Sequence, residues 1–326
     1  MKEELFSRKE SVKDIFNTIE NKLKRGLFNE SMEDFDKIMS MDFESPNLYE
    51  NISCVKFWIN RLDKFKNVER NCVEYCKLLD STYKKFSIFV VSKSYDENLI
   101  AINAIHYYVY NKIIELIMER STDDIESTEE LHLLSNAFIE LKDYSRALKS
   151  YEYLNTIEPY NSRTLSFIAM IYNILGDEKK CKLYIREALF YDPLSIEFEN
   201  ISLEILREIR DIIIKRGVHN NSQEEIILWM SAYGELMNIL DVKRPLSEKE
   251  EFDLRKRISR LEADYRKLKL REITAPKLLA SYAFLTTYLI MRQSDSDVEE
   301  VKVWGRKMAM IDKDLLQYYI KILDKE

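Results

Sequence analysis

Glycine and proline are scarce in this chain, with five of each among 326 residues. An all-β protein, or a set of α/β loops, needs many more of these residues to build its turns, so both fold classes are excluded. Leu, Ile, Lys and Glu are abundant instead, and all four are compatible with helix. The composition therefore predicts an all-α fold.

Residues suited to catalysis or metal binding are also few, with three histidines and four dispersed cysteines. The sequence has no His-Glu-x-x-His, glycine-rich phosphate loop, Cys-x-x-Cys or nucleophile elbow. Cys72 and Cys76 share a helix face, but no third ligand is near them in sequence, so we interpret them as packing residues. His106 is interpreted as a core residue. We expect no enzyme, no metal site and no cofactor.

Long apolar runs are absent too. The longest, residues 99–118, is interrupted by five polar residues, which a membrane span would rarely tolerate: Asn103, His106, Asn111, Lys112 and Glu115. The N-terminus has no apolar run beside its basic residues, so it does not read as a secretory signal. Dispersed cysteines suit a reducing compartment. We expect no membrane insertion and a cytoplasmic location.

Two consecutive segments within residues 128–195 share one pattern at a spacing of 34 residues. All but one of the ten position pairs keep an apolar or small residue, the exception being Tyr144 and Glu178. The first segment has Leu131, Leu134, Ser135, Ala137, Phe138, Tyr144, Ala147, Tyr151, Leu154 and Pro159. The second has Leu165, Ile168, Ala169, Ile171, Tyr172, Glu178, Cys181, Ile185, Ala188 and Pro193.

This spacing, with small residues at helix crossings and a proline closing each unit, resembles the tetratricopeptide repeat family. The run Asp-Tyr-Ser-Arg-Ala-Leu-Lys-Ser-Tyr-Glu from residue 143, followed by Ile-Glu-Pro-Tyr-Asn, is similar to that family's second helix and exit turn. The resemblance implies a helix-pair (TPR-like) solenoid with a C-terminal helical extension. It also implies a protein that holds other molecules rather than one that performs chemistry.

Three regions follow from these patterns. Residues 1–120 are interpreted as degenerate TPR-like helix pairs, the third of them over residues 82–119 with its turn at 95–98. Residues 121–217 would contain the repeats and a covering helix over residues 198–216. Residues 218–326 would form a C-terminal helical region that includes a basic heptad helix.

In this family the first helix of each unit lines a concave groove that holds a peptide. Carried over, the groove residues are Glu129, His132, Asn136, Ile139 and Glu140, then Arg163, Ser166, Met170, Asn173 and Ile174. Members that grip a peptide carboxylate use Lys and Asn there. Asn136 fits that pattern, whereas His132 and Met170 replace a Lys and a second Asn, which implies a mixed groove. Alternatively, this face packs against helices of the same chain.

The basic heptad helix is predicted over residues 247–271. It begins with the capping box Ser247-x-x-Glu250, and its apolar residues follow a 4-3-4-3 spacing: Leu254, Ile258, Leu261, Tyr265 and Leu268. This seam could pair with a helix of a second copy, as a homo-oligomer, or with a helix of a partner. We expect instead that helices of the same chain, around Trp229 and Tyr282, cover it. Nucleic-acid binding is disfavoured, because acidic residues are interleaved and the net charge is −7.

The function expected from these features is a non-catalytic scaffold or adaptor that binds a protein or peptide partner within an assembly. The alternative is a TPR-type regulator or sensor that binds a peptide in its groove, and the third is an enzyme on a helical scaffold. The Lys-, Ile- and Asn-rich composition is typical of AT-rich bacterial genomes. Divergent repeat proteins of this kind resemble assembly components of spirochaete-type flagellar motors, which suggests a bacterial motility or cell-envelope complex.

Overall fold

The computed structural model describes residues 2–70, 73–120, 127–217, 222–292 and 297–323. These ranges form fifteen α-helices and contain no strand, which confirms the all-α prediction. The helices are α1 Lys2–Lys24, α2 Phe28–Met41, α3 Leu48–Ile59, α4 Val73–Ser92, α5 Ile100–Met118, α6 Thr128–Glu140, α7 Tyr144–Ile157, α8 Ser162–Ile174, α9 Glu178–Tyr191, α10 Glu204–Arg216, α11 Gln223–Leu236, α12 Glu248–Tyr265, α13 Arg271–Arg292, α14 Asp297–Ile311 and α15 Lys313–Leu323. In the described ranges, no helix combines the length and the apolar character that crossing a bilayer requires.

The chain divides into two compact units, Met1–Ser150 and Tyr151–Glu326. In the first unit α5 is the central helix, and it packs against α1, α3, α4 and α6. Aromatic rings fill the space beside it: the Phe28 ring stacks on Trp58 at 5.8 Å and meets Tyr108 edge-on at 5.3 Å. Large aromatic side chains thus supply much of the apolar burial that stabilises this unit.

The predicted boundary between the second and third helix pairs of the first unit, near residue 82, is wrong. The sequence interpretation placed one helix before residue 82 and another after it, whereas α4 runs without a break from Val73 to Ser92. Neither glycine nor proline occurs in this segment, so nothing in the sequence ends the helix there. Five helices therefore stand where six were expected.

The 34-residue pattern corresponds to two helix pairs with matching bounds. Adding 34 to the first and last residue of α6 gives those of α8, and the same shift converts α7 into α9. Ala147 and Ala188, which the pattern placed at helix crossings, are both fully buried. The described helices therefore contain packed helix pairs with a regular spacing, as a helical repeat requires.

The caps and turns of these two pairs repeat as well. Ser127 and Asn161 each accept a hydrogen bond from the backbone N–H three residues later, at 3.2 Å in both cases. Asp143 and Asp177 cap the second helices in the same way, at 3.1 and 3.0 Å. Such side-chain caps satisfy donors that the first turn of a helix leaves without a partner.

The second unit is built around α11 and α13. Helix α13 packs against α9, α11, α12 and α14, and α11 also contacts α9, α10 and α15. Between these helices the guanidinium of Arg186 forms a buried, bidentate pair with the carboxylate of Glu235. The same guanidinium lies 3.9 Å from the centroid of the Phe284 ring, so one arginine contacts both central helices.

Two helix bounds in this unit differ from the prediction. The covering helix expected over residues 198–216 begins only at Glu204. The segment before it is held in turns by local side-chain hydrogen bonds, such as Asn200 Nδ2 to Glu197 Oε2 at 2.7 Å. The heptad helix expected to reach residue 271 ends at Tyr265, and a short 3₁₀ turn, Leu268–Leu270, precedes α13.

Candidate interaction surface

In the first unit, the five predicted groove residues lie on α6 and differ in exposure. Glu129 and Glu140 are exposed, Asn136 and Ile139 are half-buried, and His132 is buried. The prediction that His132 lines an open groove is therefore wrong. His132 is buried on α6, a helix that packs against α5. Its ring is not offered to a ligand from solvent.

Both exposed glutamates of α6 contact other helices of the first unit. Lys77 of α4 lies with its Nζ 2.9 Å from Glu129 Oε2, and His106 of α5 has its Nε2 2.9 Å from Glu140 Oε2. These contacts join residues 52 and 34 positions apart in sequence. The ends of the α6 face are therefore already engaged by helices of the same chain, as the alternative interpretation of this face anticipates.

In the second unit, the five predicted residues lie on α8. Ser166 and Met170 are buried, and the Ser166 hydroxyl donates to the carbonyl of Arg163 at 2.8 Å. The prediction that these two residues are open to a peptide is thus also corrected. Ten residues of this thirteen-residue helix are buried, so other parts of the chain cover α8 on more than one face, including the side that carries Ser166 and Met170.

The remaining residues of this face are accessible to different degrees. Arg163 is half-buried and forms an ion pair with Glu197, with 2.5 Å between Nε and Oε1. Asn173 and Ile174 are exposed at the C-terminal end of α8. What α8 offers to a partner is therefore a small mixed patch of one amide and one branched apolar side chain, next to a neutralised arginine.

No cluster of three or more His, Cys, Asp or Glu side chains that could hold a metal ion occurs within the described ranges. Burial raises the pKa of the Cys54 thiol to about 12 and that of Cys181 to about 11, so both stay protonated near neutral pH. Cys72 lies outside the described residues, so its predicted packing beside Cys76 is not seen; Cys76 itself is buried, as a packing residue would be.

His106 is placed differently from the core position that the sequence suggested. It is half-buried, and its ring lies 5.3 Å from that of Tyr83 and 5.0 Å from that of Tyr110. With Glu140 on its Nε2, it belongs to a surface contact between α5 and α6. The apolar neighbours along α5 gave no indication of this, because the carboxylate comes from another helix.

The heptad seam of α12 is covered over its first half. Leu254 and Ile258 are buried, Leu261 and Tyr265 are half-buried, and Leu268, beyond the helix, is 84% exposed. Helix α12 packs against α13, where the Tyr282 hydroxyl donates to Glu262 at 2.8 Å. Helix α11, which carries Trp229, packs on α13. The homo-oligomer through this helix stays a prediction.

Comparison of the chain with protein-family models, curated proteins and solved structures finds no match in any of the three.

Proposed function

We propose that this protein is a non-catalytic scaffold or adaptor that binds a protein partner within a larger assembly. The observation that carries the proposal is the pair of helix hairpins whose bounds, caps and turns recur after 34 residues. Repeated helix pairs present side chains at regular intervals on an extended surface, and such surfaces serve recognition of other macromolecules.

The placement of the groove residues favours an adaptor over a peptide sensor. A sensor that grips a peptide in a groove would need the polar and adaptable residues of α6 and α8 open to solvent. Three of these residues, His132, Ser166 and Met170, are buried. An exposed patch on a packed helix pair suits docking of a folded partner better than capture of an extended chain.

The finer parts of the proposal extend the sequence interpretation. We place the protein in the tetratricopeptide repeat family, in the bacterial cytoplasm, and in a motility or cell-envelope assembly. The 34-residue period in the helix bounds supports the family, and the composition supports the setting.

Affinity capture from the native host, with quantitative identification of the bound proteins, tests the proposal. Two isoleucines of nearly equal exposure make a matched pair: Ile174 of the candidate surface is 45% exposed and Ile157 of α7 is 47% exposed. We expect Ile174→Asp to reduce recovery of a specific partner about tenfold, and Ile157→Asp to leave it unchanged. Recovery equal to that of empty resin, or equal loss with both variants, would contradict the proposal.

A further inference from the structure

A cavity of about 180 Å³ lies in the second unit, between α9, α12 and α13. Aromatic rings form much of its wall: the Tyr160 ring lies 4.5 Å from that of Tyr191, and Phe190 stacks on Phe284 at 4.5 Å. The loop before α12 contributes Leu246, and α12 itself contributes Leu254. Such a wall binds an apolar or aromatic group, because it removes the surface of that group from water.

One cation in this wall has no carboxylate partner. The Arg257 guanidinium donates through Nη2 to the carbonyl of Phe190 at 2.7 Å and lies 4.3 Å from the centroid of the Phe190 ring. No ion pair joins Arg257 to another side chain in the described part of the chain. Burial lowers the pKa of Arg257, which reflects the cost of removing its charge from water.

The acidic groups at the cavity form no ion pair with this arginine. The carboxylate of Glu250 is bound to Arg244 at 2.7 Å and to the Ser247 hydroxyl at 2.8 Å. Asp253 is exposed to solvent, which screens its charge. Asp192, next to the wall residue Tyr191, accepts a hydrogen bond from the hydroxyl of Ser195, and its charge acts on Arg257 through space without an ion-pair contact, which opposes the lowering of the Arg257 pKa. Arg257 therefore keeps donors available for an anion that enters the cavity.

The size of the cavity limits the ligand. Sites for drug-sized ligands enclose roughly 300–1,000 Å³, so this cavity holds one ring or one branched side chain. We infer that the cavity binds a small organic carboxylate carried on an aromatic or branched apolar group, with Arg257 as its anion contact. The rings of Phe190 and Phe284 contact the apolar group, and the guanidinium contacts the carboxylate. This inference does not depend on the adaptor function.

Calorimetric titration of the full chain with 3-phenylpropionate tests the inference, and 3-phenylpropionamide serves as the neutral isostere. An acid of this size filling the cavity should bind with a Kd on the order of 1 mM. The amide should bind at least about tenfold more weakly, because it cannot form the charge-assisted contact. Equal affinity for acid and amide, or no saturable binding of either compound, would overturn the inference.

Variants of two arginines on α12 locate the binding site. Arg257→Met removes the charge and keeps an apolar stem, so we expect a loss of at least about tenfold in affinity for the acid. Arg260→Met changes an exposed arginine of the same helix and should leave the affinity within about twofold. Unchanged affinity in a folded Arg257→Met variant would overturn the inference. The comparison of acid with amide stands even if that variant fails to fold.

Peptides distinguish the two sources of such a carboxylate. A peptide that ends in phenylalanine with a free carboxylate, binding about tenfold more tightly than 3-phenylpropionate, identifies the C-terminus of a protein as the ligand. Equal or weaker binding of that peptide identifies a free metabolite. Equal binding of the free peptide and its C-terminal amide would contradict a carboxylate contact.

Discussion

Three glycines in this chain place different demands on a side chain. Gly26 and Gly176 have φ angles of +76° and +81°, a region that side-chain-bearing residues avoid, while Gly305 lies inside α14. A Cβ at Gly26 would come 2.4 Å from Cε2 of Tyr108, whereas a Cβ at Gly176 or Gly305 meets nothing within 4 Å. The three sites therefore separate backbone strain from steric overlap.

We expect alanine at these glycines to change stability with different sign and size. Gly176→Ala should cost about 1–2 kcal/mol from the left-handed backbone alone. Gly26→Ala should cost more, because the Tyr108 ring must also move. Gly305→Ala should stabilise by about 0.4–1 kcal/mol, since it restricts the unfolded chain without strain. Urea unfolding measures all three, and a Gly26→Ala cost no larger than that of Gly176→Ala would rule out the close contact.

Ala188 tests the packing of the second helix pair. Its side chain is fully buried in α9, so Ala188→Phe should destabilise by about 1–3 kcal/mol through overpacking. Lys179→Phe, at an exposed position of the same helix, is the matched control and should stay within about 0.5 kcal/mol of the native chain. Equal unfolding midpoints for the two variants would mean that α9 does not pack as described.

Small buried residues could be predicted from the sequence, but the exposure of the groove residues could not. Ala147 and Ala188 fall at the spacing where helices of a pair meet, so local pattern suffices to place them. The burial of Met170 and the contact between Lys77 and Glu129 depend on elements distant in sequence. Opposite charges separated by many residues give no local signal of their pairing.

The start of α12 links element stability to pH. The Ser247 backbone N–H donates to the Glu250 carboxylate at 2.8 Å, and the Glu250 N–H donates to the Ser247 hydroxyl at 3.3 Å, which confirms the predicted capping box. The hydrogen bond from Arg244 is the main reason that the pKa of Glu250 falls to about 2. A lowered pKa in the folded state stabilises the protein wherever the carboxylate is ionised.

This linkage predicts a pH-dependent effect of Glu250→Gln. Above the unfolded-state pKa near 4.3 the native chain should be more stable than the variant by about 1–2 kcal/mol. The difference should shrink as pH falls from that value through the folded pKa of about 2. Urea unfolding of both proteins at several pH values measures it. Glu248→Gln, exposed in the same first turn, should show little difference, and a constant gap at Glu250 would contradict the linkage.

Helix bounds marked by a side-chain cap were predicted better than other helix bounds. The cap at Ser247 is readable because one side chain satisfies the backbone a few residues later. The end of α12 at Tyr265 and the late start of α10 at Glu204 have no comparable glycine or proline signal. Turns at both places follow from hydrogen bonds and packing that apolar periodicity does not encode.

At the scale of a whole unit, the buried pair of Arg186 and Glu235 connects α9 with α11. Glu235→Leu alone should destabilise the chain by about 3–5 kcal/mol, because it leaves a buried guanidinium without its counter-ion. Adding Arg186→Met should recover most of that loss, since two apolar side chains need no partner. A double-mutant cycle by urea unfolding measures the coupling. If the double variant is as unstable as the sum of the single variants, the pair does not act as a unit.

The common offset between the two helix pairs also bears on ancestry. Bounds and caps that all shift by one length are what an in-frame duplication of a stretch of coding sequence leaves behind. Between the two pairs, Lys142 in the first occupies the place of Gly176 in the second, yet both keep a positive φ. The turn thus has the same backbone conformation in both pairs, although only the second has glycine, the residue that adopts it most easily. In such a chain, a shared origin of two segments is easier to recognise from their backbone conformation than from the identity of their side chains.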